Sequence, residues 1–170
     1  KNGGHLGGHQ SSTNNTLIVP MPGNDSLYYV FTTGAALQET HQFQYNIVNI
    51  KRDGGLGEVV VENVLIEDVI FEKIAGIRHC NKKDIWILVH KWDSDEYHAY
   101  LLTSSGLSSS PVVSHTGTVI SGFEYNEIGT LKFSSKGNKL VAVHSFDNDL
   151  VELMDFDNTT GVISNPISFK

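Results

Sequence analysis

The apolar residues of this chain fall in short runs rich in Val, Ile, Leu and aromatic side chains, and clusters of Gly, Asn, Asp and Ser separate the runs. Runs of this length with turn-forming residues at both ends are typical of β-strands. The pattern therefore predicts an all-β chain. The predicted strands are residues 16–19, 27–32, 43–51, 58–66, 74–79, 85–91, 97–103, 111–115, 129–133, 139–144, 150–156 and 163–169.

The segment from residue 58 to 74 is the one stretch that also fits another element. Its apolar residues recur in triplets, a spacing that a short amphipathic helix also uses. The density of Val and Ile favours a strand.

Three stretches of the chain repeat the same order of features. Equivalent aromatic or aliphatic positions in the second strand of each stretch are Tyr29, Trp86 and Val141, which lie 86 − 29 = 57 and 141 − 86 = 55 residues apart. A Gly-apolar turn follows the third strand each time, at residues 55–56, 106–107 and 161–162. A four-stranded unit that recurs at about 50 residues is typical of β-propeller blades. An open sandwich, the alternative, also has many short strands but lacks this longer register.

The repeat predicts three consecutive blades, with approximate limits 11–66, 67–126 and 127–170. Closed propellers have about four to eight blades. We therefore expect an open arc of a larger propeller, whose other blades belong to the same longer protein or to neighbouring chains.

The opening run 7–13, followed by 17–23 and 28–32, resembles the start of large secreted surface proteins of Bacteroidota. Residues 53–57, 79–92 and 155–166 are similar to the same family. The resemblance implies an N-terminal propeller-like region in a protein exported by type 9 secretion and associated with gliding motility or adhesion. It also implies an extracellular or cell-surface location. In that group, the tripeptide Asp25-Ser26-Leu27 matches an O-glycosylation pattern, which makes Ser26 a candidate glycan site.

The charge balance limits the choice of partners. Twelve Lys and Arg stand against nineteen Asp and Glu, a net charge of −7. This composition offers no basic patch for nucleic acid. No apolar run approaches the roughly 18 residues that a membrane-spanning helix needs. We expect a protein or glycan ligand.

Loops between second and third strands should meet at one end of a propeller, and loops on a rigid scaffold are where binding usually occurs. Residues 34–42, 92–96 and 145–149 form these loops, and their aromatic and acidic side chains suit a sugar, a cation or a basic protein surface. A solvated polar rim is the alternative. The candidate ligand-binding residues are His41, Trp92, Asp93, Asp95, Phe146, Asp147 and Asp149, with Glu96 beside them.

No residue pattern indicates catalysis. The chain lacks a nucleophile elbow, a phosphate loop and a dinucleotide fingerprint, and its single cysteine, Cys80, has no partner at a readable spacing. We predict no catalytic residue and a non-enzymatic module. The alternative is a propeller enzyme that acts on polysaccharide or peptide at the same loops.

The sequence gives only weak indications of a metal site. His5 and His9 lie among glycines that disfavour the helix their spacing would require. The acidic runs 93–96 and 147–149 carry oxygen ligands suited to calcium but lack the twelve-residue loop pattern. His90 and His144 both end second strands, and we expect them to be hydrogen-bonded. The sequence therefore predicts no metal and no cofactor, with calcium as a weak alternative.

Overall fold

The computed structural model describes residues 1–35, 40–146 and 149–170. In these ranges the chain forms β-strands and two short 3₁₀ turns, at Asp53–Gly55 and Glu124–Glu127. No helix in the described ranges is long and apolar enough to cross a membrane.

The strands form three antiparallel sheets that follow one another along the chain. Sheet I contains β1 (Thr16–Pro20), β2 (Leu27–Ala35), β3 (Thr40–Asn49) and β4 (Glu58–Glu67) in that order. Sheet II contains β5 (Ile70–Arg78), β6 (Ile85–Lys91) and β7 (Ser94–Thr103), with both the short β8 (Gly106–Leu107) and β9 (Val112–Ile120) paired to β7. Sheet III contains β10 (Gly129–Phe133), β11 (Lys139–His144), β12 (Leu150–Phe156) and β13 (Ile163–Phe169).

This architecture confirms the predicted all-β fold class of consecutive four-stranded, blade-like sheets. Tyr29, Trp86 and Val141 lie on the second strand of sheets I, II and III respectively. The three Gly-apolar motifs each follow a third strand. The repeated landmarks therefore fall at equivalent places in the three sheets.

The helical alternative for residues 58–74 is wrong. The segment forms β4 and the start of β5, which are separated by a turn at Asp68 and Val69. Val69 has a φ of 64°, a left-handed conformation in which the chain reverses. The predicted start of the fifth strand at residue 74 is also wrong, because Glu72 and Lys73, which resemble a polar interruption, are buried inside β5.

Sheet II is covered on both faces, which explains the continuous apolar run in β6. Ile87 and Val89 pack into the cluster shared with sheet I, whereas Trp86 and Leu88 pack into the cluster shared with sheet III. A strand buried on both faces needs apolar residues at successive positions. The two clusters form the core of the described chain.

Sheet III also carries apolar residues on its outer face, and this face is open in this chain. Val141, Leu153 and Ile167 are neighbours across three strands on that face, and Ile167 is 54% exposed. Phe169, at the end of β13, is 53% exposed. The same face also carries Lys132, beside Val141, and the ion pair of Lys139 with Asp155. No element among the described residues covers the apolar row.

The outer face of sheet I is partly covered by the start of the chain. The Lys1 ammonium group donates to the Gly57 carbonyl at 2.9 Å, and the Asn63 side chain donates to the His5 carbonyl at 2.9 Å. Gly8 lies directly against Thr32. The two ends of the stack are therefore different.

Candidate functional site

The second strands β2, β6 and β11 end, and the third strands β3, β7 and β12 begin, at what we call the loop end. Backbone hydrogen bonds join this end to the segments that link successive sheets. The Ser145 amide donates to the Ile128 carbonyl at 3.0 Å, and the Trp92 amide donates to the Val69 carbonyl at 2.9 Å. The 121–128 connection between sheets II and III thus belongs to the loop end, although the sequence prediction counted only loops between second and third strands.

His41, at the start of β3, contacts Glu127 of this connection. Its Nδ1 lies 2.8 Å from the Glu127 Oε1, and the Glu127 side chain is 1% exposed. Burial raises the pKa of Glu127 to about 8, and the nearby Glu72 and Glu124 carboxylates act in the same direction. The structure therefore joins the predicted residue His41 to a buried carboxyl group that the sequence did not indicate.

Trp92 supports the loop end from within. Its ring meets Phe71 edge-on at 5.3 Å and packs against the cluster of Phe71, Ile120 and Leu150. Leu150 begins β12 directly after the β11–β12 connection. Trp92 thus packs the 92–96 loop against the start of β12.

The predicted acidic residues at the loop end do not share one partner. Asp93 is exposed in a left-handed turn, and the Asp95 Oδ1 lies 3.0 Å from the His115 Nδ1. Glu96 lies between Lys91 and His98. In the described ranges, no group of three or more His, Cys, Asp or Glu is arranged to hold a metal ion. Asp147 lies outside the described residues.

Three aromatic rings form what we call the ring stack, made of Phe123, Tyr125 and Phe146. The Phe146 ring stacks on Tyr125 with centroids 5.1 Å apart, and the Phe123 ring lies 4.7 Å from Tyr125. Phe123 is 56% exposed and Phe146 is 50% exposed. Of these three, the sequence prediction included Phe146 alone. Two aromatic residues in a Gly- and Ser-led turn, Ser121-Gly122-Phe123-Glu124-Tyr125, were the signal that could have found the others.

Phe146 is held in an unfavourable backbone conformation. Its φ is 61°, a region that bulky residues rarely adopt and that costs about 1–3 kcal/mol. The amide of Asp149, which is itself exposed, donates to the Phe146 carbonyl at 3.3 Å and closes the turn. The turn therefore keeps an apolar ring half in water at a cost in backbone energy.

Beneath the loops, Lys73 lies in a polar network between sheets II and III. Its Nζ donates to the Val143 carbonyl at 3.1 Å, lies 3.0 Å from the His144 Nδ1, and stands 4.5 Å from the centre of the Phe71 ring. Burial lowers the pKa of Lys73 to about 7. When Lys73 is protonated, its ammonium group can only donate, so the His144 Nδ1 then accepts and the ring proton lies on Nε2.

Glu152 completes this network on the other side of His144. The His144 Nε2 lies 3.5 Å from Glu152 Oε2, while the Thr118 amide and hydroxyl donate to Oε1 at 3.0 and 2.9 Å. Burial acts to raise the pKa of Glu152, but hydrogen bonds from His144 and Thr118 outweigh it and hold the pKa below its usual value. Lys73, His144 and Glu152 are exposed by 1% or less, so this network joins the sheets without reaching solvent.

Both strand-end histidines were expected to be hydrogen-bonded. This prediction is confirmed for His144 and wrong for His90. The His90 ring stacks on Phe71 at 4.5 Å and on Tyr97 at 4.1 Å. Neither of its nitrogens has a hydrogen-bond partner within the described part of the chain. Burial lowers the pKa of His90 well below its usual value, which keeps the ring neutral and suited to stacking.

Two further predicted positions lie in exposed turns. Ser26 is in the turn before β2, with its hydroxyl 3.1 Å from the Asn24 Oδ1. Cys80 is a free, exposed thiol between β5 and β6, 3.7 Å from the Thr159 hydroxyl.

Comparison with known proteins gives no match to a family model, a curated protein or a solved structure.

Proposed function

We propose that this chain is a non-enzymatic interaction module of a secreted cell-surface protein and that it binds its ligand at the loop end. The observation that carries the proposal is the ring stack, two of whose three rings are half exposed. Exposed aromatic side chains on a rigid scaffold supply contact area at a low entropic cost.

The sheets beneath the loop end provide this rigidity. Trp92 packs on Phe71, and Phe71 in turn lies against His90, whose other face is covered by Tyr97. A close-packed support of this kind limits the movement of the residues above it. A preorganised surface loses less conformational entropy when a ligand binds.

A glycan array and a hydrolase panel test the proposal against its enzymatic alternative. We expect a ligand that is bound without turnover, and we expect Phe146→Ala to weaken its binding. Phe169→Ala is the matched control, since Phe169 is equally exposed but lies on the outer face of sheet III. Hydrolysis that is lost in Asp93→Ala would instead favour a propeller enzyme.

The cell-surface location and an adhesive role rest on the resemblance to secreted Bacteroidota proteins. The same resemblance supports a glycan on Ser26, whose turn is accessible. Intact-peptide mass spectrometry of native material is expected to find this glycan. A Ser26 that is always unmodified would remove that part of the proposal.

The partner of sheet III in this proposal is a further four-stranded antiparallel sheet of the same repeat. Sheets I and II, and sheets II and III, already pack face to face through apolar clusters. The outer face of sheet III continues this pattern with Val141, Leu153 and Ile167. A further sheet would remove these residues from water, as sheet III does for the facing side of sheet II.

A further inference from the structure

The segments that form the ring stack are free of basic residues. No Lys or Arg occurs between Lys91 and Lys132 or between Lys139 and Lys170. Acidic residues in these two stretches are Asp93, Asp95, Glu96, Glu124, Glu127, Asp147, Asp149, Glu152, Asp155 and Asp157. The negative charge of the chain is thus concentrated in the segments that build the loop end and sheet III.

Two exposed acidic residues are close along the chain to the residues of the ring stack. Glu124 lies between Phe123 and Tyr125 in the chain and is exposed. Asp149, also exposed, closes the turn that holds Phe146. An aromatic ring attracts a cation to its face, and carboxylates accept hydrogen bonds without donating any.

We propose that the ring stack with Glu124 and Asp149 binds a cationic side chain, arginine above all, on a basic segment of a partner protein. The inference rests on the proposed function, because it names the ligand class of the same loop end. A guanidinium group is planar, donates five hydrogen bonds and stacks on aromatic faces. It therefore matches rings bordered by acceptors.

A neutral sugar matches this surface less well. Sugar hydroxyls both donate and accept hydrogen bonds, and a sugar site normally offers donors as well as acceptors. Apart from the hydroxyls of Ser121 and Tyr125, the donor side chains of this connection and of His41 face other protein groups. The Asn126 amide donates to the Ser121 carbonyl at 3.0 Å, and His41 faces Glu127.

The test titrates the full chain with a tri-arginine peptide and with a tri-citrulline peptide, its neutral isostere, and follows amide chemical shifts by NMR. We expect tri-arginine to shift the amides of residues 121–128 and 145–149 and tri-citrulline to leave them unchanged. Phe146→Leu and Glu124→Gln should each weaken tri-arginine binding by about two- to fivefold, the size of one cation–π or ion-pair contact at an exposed site. Added salt should weaken it further.

Matched controls are Leu56→Ala and Glu62→Gln, which change an exposed apolar residue and an exposed Glu on other surfaces. Tri-arginine binding should be unchanged in both. Equal binding of tri-citrulline, or equal loss of affinity in the controls, would overturn the inference.

A neutral oligosaccharide from the glycan array serves as the third ligand. If it binds and Phe146→Leu weakens it while tri-arginine produces no shift, the cation inference fails and the proposed function stands. If no ligand of either class binds in a Phe146-dependent way, both fail.

Discussion

At the scale of single residues, Lys73 has the most unusual environment in the described chain. It is a fully buried amine between Val143, His144 and Phe71. Burial lowers its pKa from 10.5 to about 7. The unfolded chain keeps this proton to a higher pH than the folded chain does, so the free energy of unfolding should rise between about pH 7 and about pH 10.5.

Lys73→Met should remove that rise, because methionine has a similar length and does not titrate. Urea unfolding at about pH 7 and about pH 9 measures the slope, which should be positive in the wild type and reduced in the variant. Lys132→Met, at an exposed position of β10, should leave the slope unchanged. An undiminished slope in Lys73→Met would show that another group causes it.

Glu127 should have the opposite effect on stability. Its pKa is raised from 4.5 to about 8, so the folded chain holds a proton that the unfolded chain releases at lower pH. The free energy of unfolding should therefore fall as the pH rises from about 4.5 to about 8. Glu127→Gln, which mimics the protonated carboxyl group, should remove this fall.

The measurement for Glu127→Gln is urea unfolding at about pH 5 and about pH 8. Glu58→Gln, at an edge of sheet I far along the chain from this site, is the control and should behave as the wild type does. Identical pH dependence in Glu127→Gln and in the wild type would refute the assigned role of Glu127.

These buried charged residues also show where sequence reasoning stops. Glu72 and Lys73 interrupt an apolar run and therefore resemble a turn, although both lie inside β5. Their polar partners come from Thr13 and His144, which are distant in the chain. A hydrophobic pattern shows which residues prefer burial. It does not show which distant residue will hydrogen-bond a buried charged group and so stabilise it inside the fold.

At the scale of strands, the junction of β10 and β11 has no room for a side chain at Gly129. A Cβ atom added there would lie 1.9 Å from the Val143 carbonyl oxygen. Gly129→Ala should therefore destabilise the chain by about 3 kcal/mol, since backbone atoms must move to admit the methyl group. Gly4→Ala, where no atom lies within 4 Å of the added Cβ, should have little effect.

Urea unfolding of these two glycine variants checks the strand pairing directly. A nearly neutral Gly129→Ala would mean that β10 and β11 do not approach each other in this register.

The pairing of sheets I and II includes a titratable contact between β4 and β7. The His98 Nδ1 lies 2.8 Å from Glu67 Oε1, and its Nε2 lies 3.0 Å from Glu96 Oε2. Burial acts to lower the pKa of His98, but Glu67 and Glu96 outweigh it and raise the pKa. The stabilisation is therefore fully present below the unfolded pKa of about 6.5 and is lost as the pH rises through the folded pKa.

His98→Gln should accordingly cost more stability at about pH 6 than at about pH 9, as judged by thermal or urea unfolding. His115→Gln is the matched control, because His115 contacts a carboxylate at the exposed surface, where ion pairs contribute little. A cost for His98→Gln that is the same at both pH values would contradict the ion pairs.

Most strands could be predicted from the sequence, because the residue patterns that define a strand are local. Strands Ile85–Lys91 and Lys139–His144 match the predicted bounds. A short apolar run flanked by turn residues rarely forms anything other than a strand. The ring stack was only partly predictable. Phe123 and Tyr125 lie in a connection between sheets, and nothing local shows that this connection meets Phe146.

At the scale of the whole molecule, the repeat is the feature that the sequence reports most clearly. Its period of 55–57 residues at the second strands corresponds to one sheet plus its connection. Pairing of neighbouring strands produces each sheet, and apolar residues on both faces of β6 and on the inner face of β11 stack the sheets. The difference between the two ends, with sheet I partly covered and sheet III open, depends on where residues 1–8 lie and could not be read from the repeat.

Centrally, we propose that the three stacked sheets form an interaction module and that the row of Val141, Leu153 and Ile167 on the outer face of sheet III takes a further sheet. Sedimentation velocity of the chain over a range of concentrations tests this claim most directly. We expect self-association that increases with concentration, because the open face can also pack on a second copy. Leu153→Lys should abolish the association, whereas Val60→Lys, at an exposed position of sheet I, should preserve it. A wild-type chain that stays a monodisperse monomer at high concentration would contradict the account.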